Sequence, residues 1–365
     1  MKITPMILLL YLSSTLGINA QTNNTNYSKQ IDAFKQCFEN KNSGELKAHL
    51  SADFTLPTAT KEQTELGLNQ LFSQLPLISM AIKESTKGKA LIAYNFKGLG
   101  ERTSSIYFND VGKITKVELF DNLIKESQER RNARPIPDEL SKKYQAEKVT
   151  FTTTDNRTVV GNLYEIGNDK PIILLLHQLR NNKYEYADIA PKLNDMGFNA
   201  LAIDLTGGAA FADHENETVN KGTPISRTDR EVLVARAELE IVTAIDYLNK
   251  RYNTKVIVWG SSYSASMAIA VASTNENVIA AISFSGLETR LSTILSKLSK
   301  PVFMTSSKGE ASMIEELLTD TPKENLVHFI PKGDGRHGSS ALWNGQKDAE
   351  EYWAAIKSFL NKIKN

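Results

Sequence analysis

The hydrophobic rhythm of the chain changes twice. From Ser28 onward Ile31, Phe34 and Phe38 recur at the spacing that gathers them on one helical face, and a second helical pattern covers 61–75. The period then drops to that of strands over 78–83, 90–96, 104–108 and 114–119, with turn signals at Lys87-Gly88, 98–100 and 109–112. Helices first and meandering strands after them predict an α+β domain over 28–121. Residues 122–146, carrying Glu129-Arg130-Arg131 and the Pro135-Ile136-Pro137 punctuation, read as a linker.

From residue 147 the pattern alternates strand and helix. Segments 149–153 and 158–164 predict an opening antiparallel pair joined at Asp155-Asn156. Apolar runs follow at 172–176, 200–203, 256–258, 279–284, 302–304 and 327–330. Helical stretches are expected at 184–193, 231–252, 266–272, 287–298, 311–318 and 350–363. Continuous apolar runs mean strands buried on both faces, so 147–365 predicts an α/β domain with a mostly parallel sheet flanked by helices. Ligands in such sheets bind at the carboxyl ends of the strands.

Composition narrows the classes. A chain of 365 residues fits two domains better than one, and 41% hydrophobic against 23% charged residues excludes global disorder. Lys plus Arg total 43 against 42 Asp plus Glu, with no basic cluster, which argues against a nucleic-acid partner. The single cysteine, Cys37, excludes an intrachain disulfide and a thiolate metal cage; its place between Phe34 and Phe38 predicts a packing role. The first twenty residues run Met1-Lys2, an apolar stretch over 6–12 and then Gly17-Ile18-Asn19-Ala20, the order of a signal peptide cut after Ala20; a polar leader over 21–27 follows. That apolar run is well short of the ~20 residues needed to span a bilayer. The expected mature protein is periplasmic or secreted and free of the membrane.

The chemistry concentrates at strand ends. The strand ending at Trp259 runs into Gly260-Ser261-Ser262-Tyr263-Ser264 and then a small-residue helix, the context of a nucleophile elbow with Ser262 at its apex. A serine needs an imidazole to take its proton and a carboxylate to fix the imidazole tautomer. After the 327–330 strand the loop Pro331 to Gly338 holds His337, the expected base. His49, His214 and His328 are worse placed, and His177 suits a loop-shaping hydrogen bond. Glu310, in the loop after the 302–304 strand, stands where the acid belongs, with Asp334 and Asp320 as alternatives. The oxyanion calls for two amide donors: one from Tyr263, the other from Gln178 or Leu179 in the loop after the 172–176 strand.

With those residues in view, 147–365 resembles an α/β-hydrolase of the dienelactone hydrolase-like kind. The opening hairpin, the His177-Gln178 loop, Ala202-Ile203-Asp204 closing a strand, the elbow at 260–264, Glu310 and His337-Gly338 carry the likeness. The chain departs from the pattern in ending its elbow at Ser264, in placing Gln178 where glycine is frequent, and in using Glu310 instead of aspartate. The resemblance implies a serine hydrolase acting on a small acyl substrate, most simply a carboxylic ester, through a Ser-His-Glu triad and an acyl-enzyme, with no cofactor or metal. A peptidase or amidase with the same residues, and a binding protein that keeps the fold, are the rival readings. Only 285–300 separate two strands at the place where larger relatives insert a lid, so no cap domain is expected; the 205–225 loop, Tyr263, Leu179 and Trp343 are expected to form a partly apolar cleft. The element order of 28–121 resembles an NTF2-like or cystatin-like cone, a curved antiparallel sheet on a long helix. It reads as a structural or association module through which the chain could form a homo-oligomer.

Overall fold

The computed structural model describes residues 27–57, 59–219 and 230–364. The expected signal segment, most of the polar leader and the end of the 205–225 loop lie outside them. The described residues divide into two compact units, the first drawn from those up to 74 with 80–94 and 103–122, the second from 75–79, 95–102 and those after 122.

In the first unit helix α1 (Ser28–Asn40) buries Ile31, Phe34, Cys37 and Phe38, the face its spacing predicts. Phe34 packs edge-on against Phe38, Phe72 and Tyr94, so α1, α2 (Lys61–Gln74) and the sheet share one aromatic core. Cys37 is fully buried there, and that burial pushes its thiol up to about 11, consistent with packing and not reactivity. Strands β1 (Leu77–Thr86), β2 (Lys89–Phe96), β3 (Gly100–Phe108) and β4 (Ile114–Val117) form a four-stranded sheet in that order. One expectation is corrected here. The last strand stops at Val117, and Glu118 opens helix α3 (Glu118–Asn132). Leu119, Phe120 and Leu123 then fall on one buried helical face, while the Glu118 carboxylate accepts from the Ser105 N–H and the Tyr107 hydroxyl. The segment before Pro135 is therefore helical; a short helix α4 (Glu139–Lys143), capped by Asp138, follows the prolines.

The second unit is built on an eight-stranded sheet of β5 (Glu147–Thr152), β6 (Thr158–Tyr164), β7 (Ile172–Leu176), β8 (Asn199–Ile203), β9 (Val256–Ser261), β10 (Val278–Phe284), β11 (Val302–Thr305) and β12 (Leu326–Phe329), in the order β12-β11-β10-β9-β7-β8-β6-β5. The hairpin β5–β6 runs antiparallel at one edge; the six strands from β8 to β12 are parallel. Alternation along the strands feeds two cores. Ile172, Leu174 and Leu176 with Val256 and Val258 pack against helices α6 (Arg230–Tyr252), α7 (Tyr263–Thr274), α8 (Leu291–Leu295) and α9 (Ala311–Leu317). Ile173, Leu175, Ile257 and Trp259 pack against α5 (Ile189–Asp195) and α10 (Ala349–Lys364) on the other face. Each fully buried Leu or Ile contributes roughly 1.5–3 kcal/mol of transfer free energy.

Two helices differ from expectation. The stretch expected at 184–193 splits into a 3-10 turn, Lys183–Tyr186, whose start the Asn182 side chain caps at the Tyr184 N–H, and α5. The stretch expected at 287–298 shrinks to α8. Only one short helix lies between β10 and β11, so the second unit has no inserted cap at that point.

Candidate active site

Chain order reverses direction at β7: β8 lies on one side of it and β9 on the other. The loops leaving the carboxyl ends of β7 and β9 therefore diverge over a crevice, the place where open α/β sheets bind ligands.

The β9 loop makes the elbow. Ser262 has φ 55° and ψ −113°, a strained conformation for a residue with a side chain. A Cβ at Gly260 would press into the backbone carbonyl of Ser264, which explains the glycine. Ser264, where a glycine was the pattern, earns its place by bonding: its hydroxyl accepts from the Ser261 N–H at 2.9 Å and donates to the Leu176 carbonyl at 2.7 Å, tying the elbow to β7.

His337 Nε2 lies 2.7 Å from Ser262 Oγ and His337 Nδ1 lies 2.5 Å from Glu310 Oε1. Glu310 is nearly buried, which raises its pKa, but hydrogen bonds from His337, Ser285 and Ser307 outweigh burial and hold it below the usual carboxylate range. An ionised carboxylate only accepts, so Nδ1 carries the proton and Nε2 presents its lone pair to the serine. The second oxygen of Glu310 accepts from the Ser285 hydroxyl at 2.9 Å, the Ser307 hydroxyl at 2.9 Å and the Ser307 N–H at 3.2 Å, closing a capping box at the turn before α9. Asp334 shows no such contact; its backbone carbonyl accepts from the Lys308 N–H. Asp320 lies beyond the end of α9, and no bond joins it to His337 among the described residues.

The loop after β7 can be followed amide by amide. The Gln178 N–H donates to Glu185 Oε2 at 2.9 Å, the Arg180 N–H to the Gly207 carbonyl and the Asn181 N–H to the Gln178 carbonyl. Leu179 N–H has no acceptor among the described residues, and neither has that of Tyr263, the first residue of α7. The two side chains meet over Gly207, each within about 3.1 Å of where its Cβ would stand. Of the two expected loop donors, Gln178 is thus already committed and Leu179 remains available.

His177 is fully buried, with Nδ1 2.8 Å from the Gln178 carbonyl and Nε2 accepting from the Leu205 N–H at 2.9 Å. Those partners require the neutral Nδ1–H tautomer, and burial lowers its pKa accordingly. It shapes the loop, as expected. Trp343 differs from expectation: it is 2% exposed and its indole N–H donates to the Glu185 carbonyl, so it braces the loop from below and does not line a cleft. Leu179, 41% exposed, offers apolar surface at the mouth.

Sequence reasoning missed two residues. Glu185 is fully buried beneath the loop and pushed up to about 7 by that burial. Ser285, at φ 58°, links Glu310 to the histidine loop by accepting from the Gly338 N–H at 3.0 Å. Unlike Ser262, Ser285 has no glycine-serine elbow around it in the sequence, so its positive φ leaves no sequence signal. Among the described residues no cluster of His, Cys, Asp and Glu is arranged to hold a metal, and no helix is long and apolar enough to cross a membrane.

Comparison with known proteins gives these relationships. Residues 161–327, from β6 to β12, match the model of the Dienelactone hydrolase family. No curated protein matches the chain significantly. Among solved structures the chain is similar to an esterase from Pyrococcus furiosus, at 17% identity over 63% of this chain and 98% of that one, with a TM-score of 0.48. It is also similar to a dienelactone hydrolase from Anabaena variabilis, at 18% identity over 60% and 98%, TM-score 0.45. A soluble variant of monoglyceride lipase from Saccharomyces cerevisiae gives 12% identity over 62% and 98%, TM-score 0.48. Over residues 161–327 the C-terminal unit is thus similar to the dienelactone hydrolase family of α/β-hydrolase enzymes.

Proposed function

We propose that the C-terminal unit hydrolyses small carboxylic esters through Ser262, His337 and Glu310. The observation that carries the reading is the unbroken relay of hydrogen bonds from Ser262 Oγ through both ring nitrogens of His337 to Glu310. Ser262 Oγ attacks the ester carbonyl carbon while its proton passes to His337 Nε2; the carbonyl oxygen becomes an oxyanion received by the amides of Tyr263 and Leu179. Collapse expels the alcohol, which takes the proton from Nε2, and leaves the acyl group on Ser262. Water, deprotonated by the same nitrogen, then attacks the acyl carbon, and the acid departs as Oγ regains its proton. Glu310 stays ionised, holding the tautomer and stabilising the transient imidazolium. The exposed Leu179 and the absence of an insert between β10 and β11 favour acyl groups of modest size.

Export to the periplasm or exterior is part of the proposal and rests on the order of charges and apolar residues in the first twenty positions. So is the NTF2-like character of the first unit, supported by its helix-then-sheet order and by the aromatic core on α1.

An alkyl fluorophosphonate should label the protein once, at Ser262, and p-nitrophenyl acetate and butyrate should be turned over by the full chain but not by Ser262→Ala. Labelling that survives in Ser262→Ala would refute the assignment. Turnover of acyl anilides in preference to esters would replace the ester reading with an amidase.

A further inference from the structure

Glu185 is the most anomalous side chain around the site. It lies in the 3-10 turn that follows the oxyanion loop, is fully buried, and has no Lys or Arg bonded to its carboxyl among the described residues. Carboxylates are almost never fully buried without such a partner, because desolvation is costly. Its Oε2 accepts two donors from two points of one loop, the Gln178 N–H at 2.9 Å and the Asn181 side-chain amide at 3.0 Å. Its Oε1 has no hydrogen-bond partner among the described residues, although the Ser261 hydroxyl is close by. Ser261 in turn accepts from the Ser339 N–H at 2.9 Å, two residues past His337. Three loops therefore meet at this carboxyl: those carrying the oxyanion amide, the nucleophile and the base.

We propose that Glu185 is a positioning residue for the oxyanion site, whose carboxyl clamps residues 178 and 181 so that the intervening Leu179 N–H is left facing the reacting carbonyl. The inference rests on the serine-hydrolase reading given above. Consecutive amides in a tight turn cannot all point one way: with Gln178 drawn inward to the carboxyl and Arg180, at φ 70°, drawn to the Gly207 carbonyl, Leu179 is the amide left over. A loop without the clamp would offer the Gln178 and Leu179 donors interchangeably to solvent, and a misplaced donor stabilises no oxyanion. The carboxyl acts through these amides and touches no substrate.

The test compares the full chain with Glu185→Ala and Glu185→Gln, using p-nitrophenyl butyrate turnover, fluorophosphonate labelling and thermal unfolding. Loss of one oxyanion donor costs on the order of 10²–10³ in kcat, so misplacing it in Glu185→Ala should lower kcat roughly 100-fold while KM stays within about threefold. The carboxamide oxygen of Glu185→Gln can accept the same two N–H groups, and its kcat should recover to within about tenfold of the unaltered enzyme. If Glu185→Ala does not fold, Glu185→Met, which fills the space without an acceptor, takes its place with the same expected kcat loss. The inference is overturned if the folded Ala or Met variant keeps kcat within about threefold, or if Gln, folded and equally stable, recovers nothing. An unaltered protein that neither labels at Ser262 nor turns over ester would instead overturn the underlying reading, and this inference with it.

Discussion

Ser285 carries more of the site than its single hydroxyl suggests. It donates to Glu310, accepts from Gly338, and sits in the left-handed region to do both. In Ser285→Ala, Glu310 loses one of its donors and its pKa rises. A more basic carboxylate binds the imidazolium more firmly, so His337 gives up its proton at higher pH. Because the base must be neutral to work, kcat/KM climbs with pH, and in this variant the climb should shift upward by a few tenths of a pH unit, with a rate loss of about two- to threefold below it. An unshifted limb in the pH–rate profile would mean that Ser285 serves packing alone. At this scale the sequence was legible for residues that declare themselves by position. Ser262, His337 and Glu310 each follow an apolar run, and each was singled out on that ground. Ser285 follows an apolar run too, but no elbow motif or ionisable side chain distinguishes it from an ordinary strand-end serine, and a glutamate between Tyr184 and Tyr186 looks like a surface residue until the fold buries it.

At the scale of elements the elbow departs from its usual glycine ending without losing its shape. The Ser264 side chain replaces open space with two hydrogen bonds, one of them across to β7. Ser264→Ala would leave the buried Ser261 N–H without that partner, while the Leu176 carbonyl keeps the Tyr186 hydroxyl. It should lower the stability of the C-terminal unit by about 1–3 kcal/mol in chemical denaturation, with labelling of Ser262 slowed and not abolished. A variant as stable as the parent would show that water or a neighbouring group fills the gap. The central strands of the second unit, β7, β8, β9 and β11, were legible because a run buried on both faces has few other uses. Element ends were not. β4 yields to α3 at Glu118 because Leu119, Phe120 and Leu123 find the core only on a helical face, a preference set by what they pack on and not by the local string.

For the molecule as a whole, length and the change of hydrophobic period are what predict two domains, while the first unit offers no residues from which an activity can be read. The C-terminal unit gathers every piece of the candidate machinery at one edge. Ser262 follows β9, Leu179 follows β7, Ser285 follows β10, Glu310 follows β11 and His337 follows β12, five strands that are neighbours in the sheet. Parts hung from a common rigid rim have no hinge at which to come loose early. Residual turnover of the proposed ester substrates after heating should therefore track the loss of this unit's near-ultraviolet circular dichroism step for step, and inactivation well below that transition would show a rim softer than its sheet. The practical corollary is durability: attempts to make this enzyme outlast heat should stiffen the sheet and its flanking helices, since the loops that bear the chemistry would gain their endurance from it.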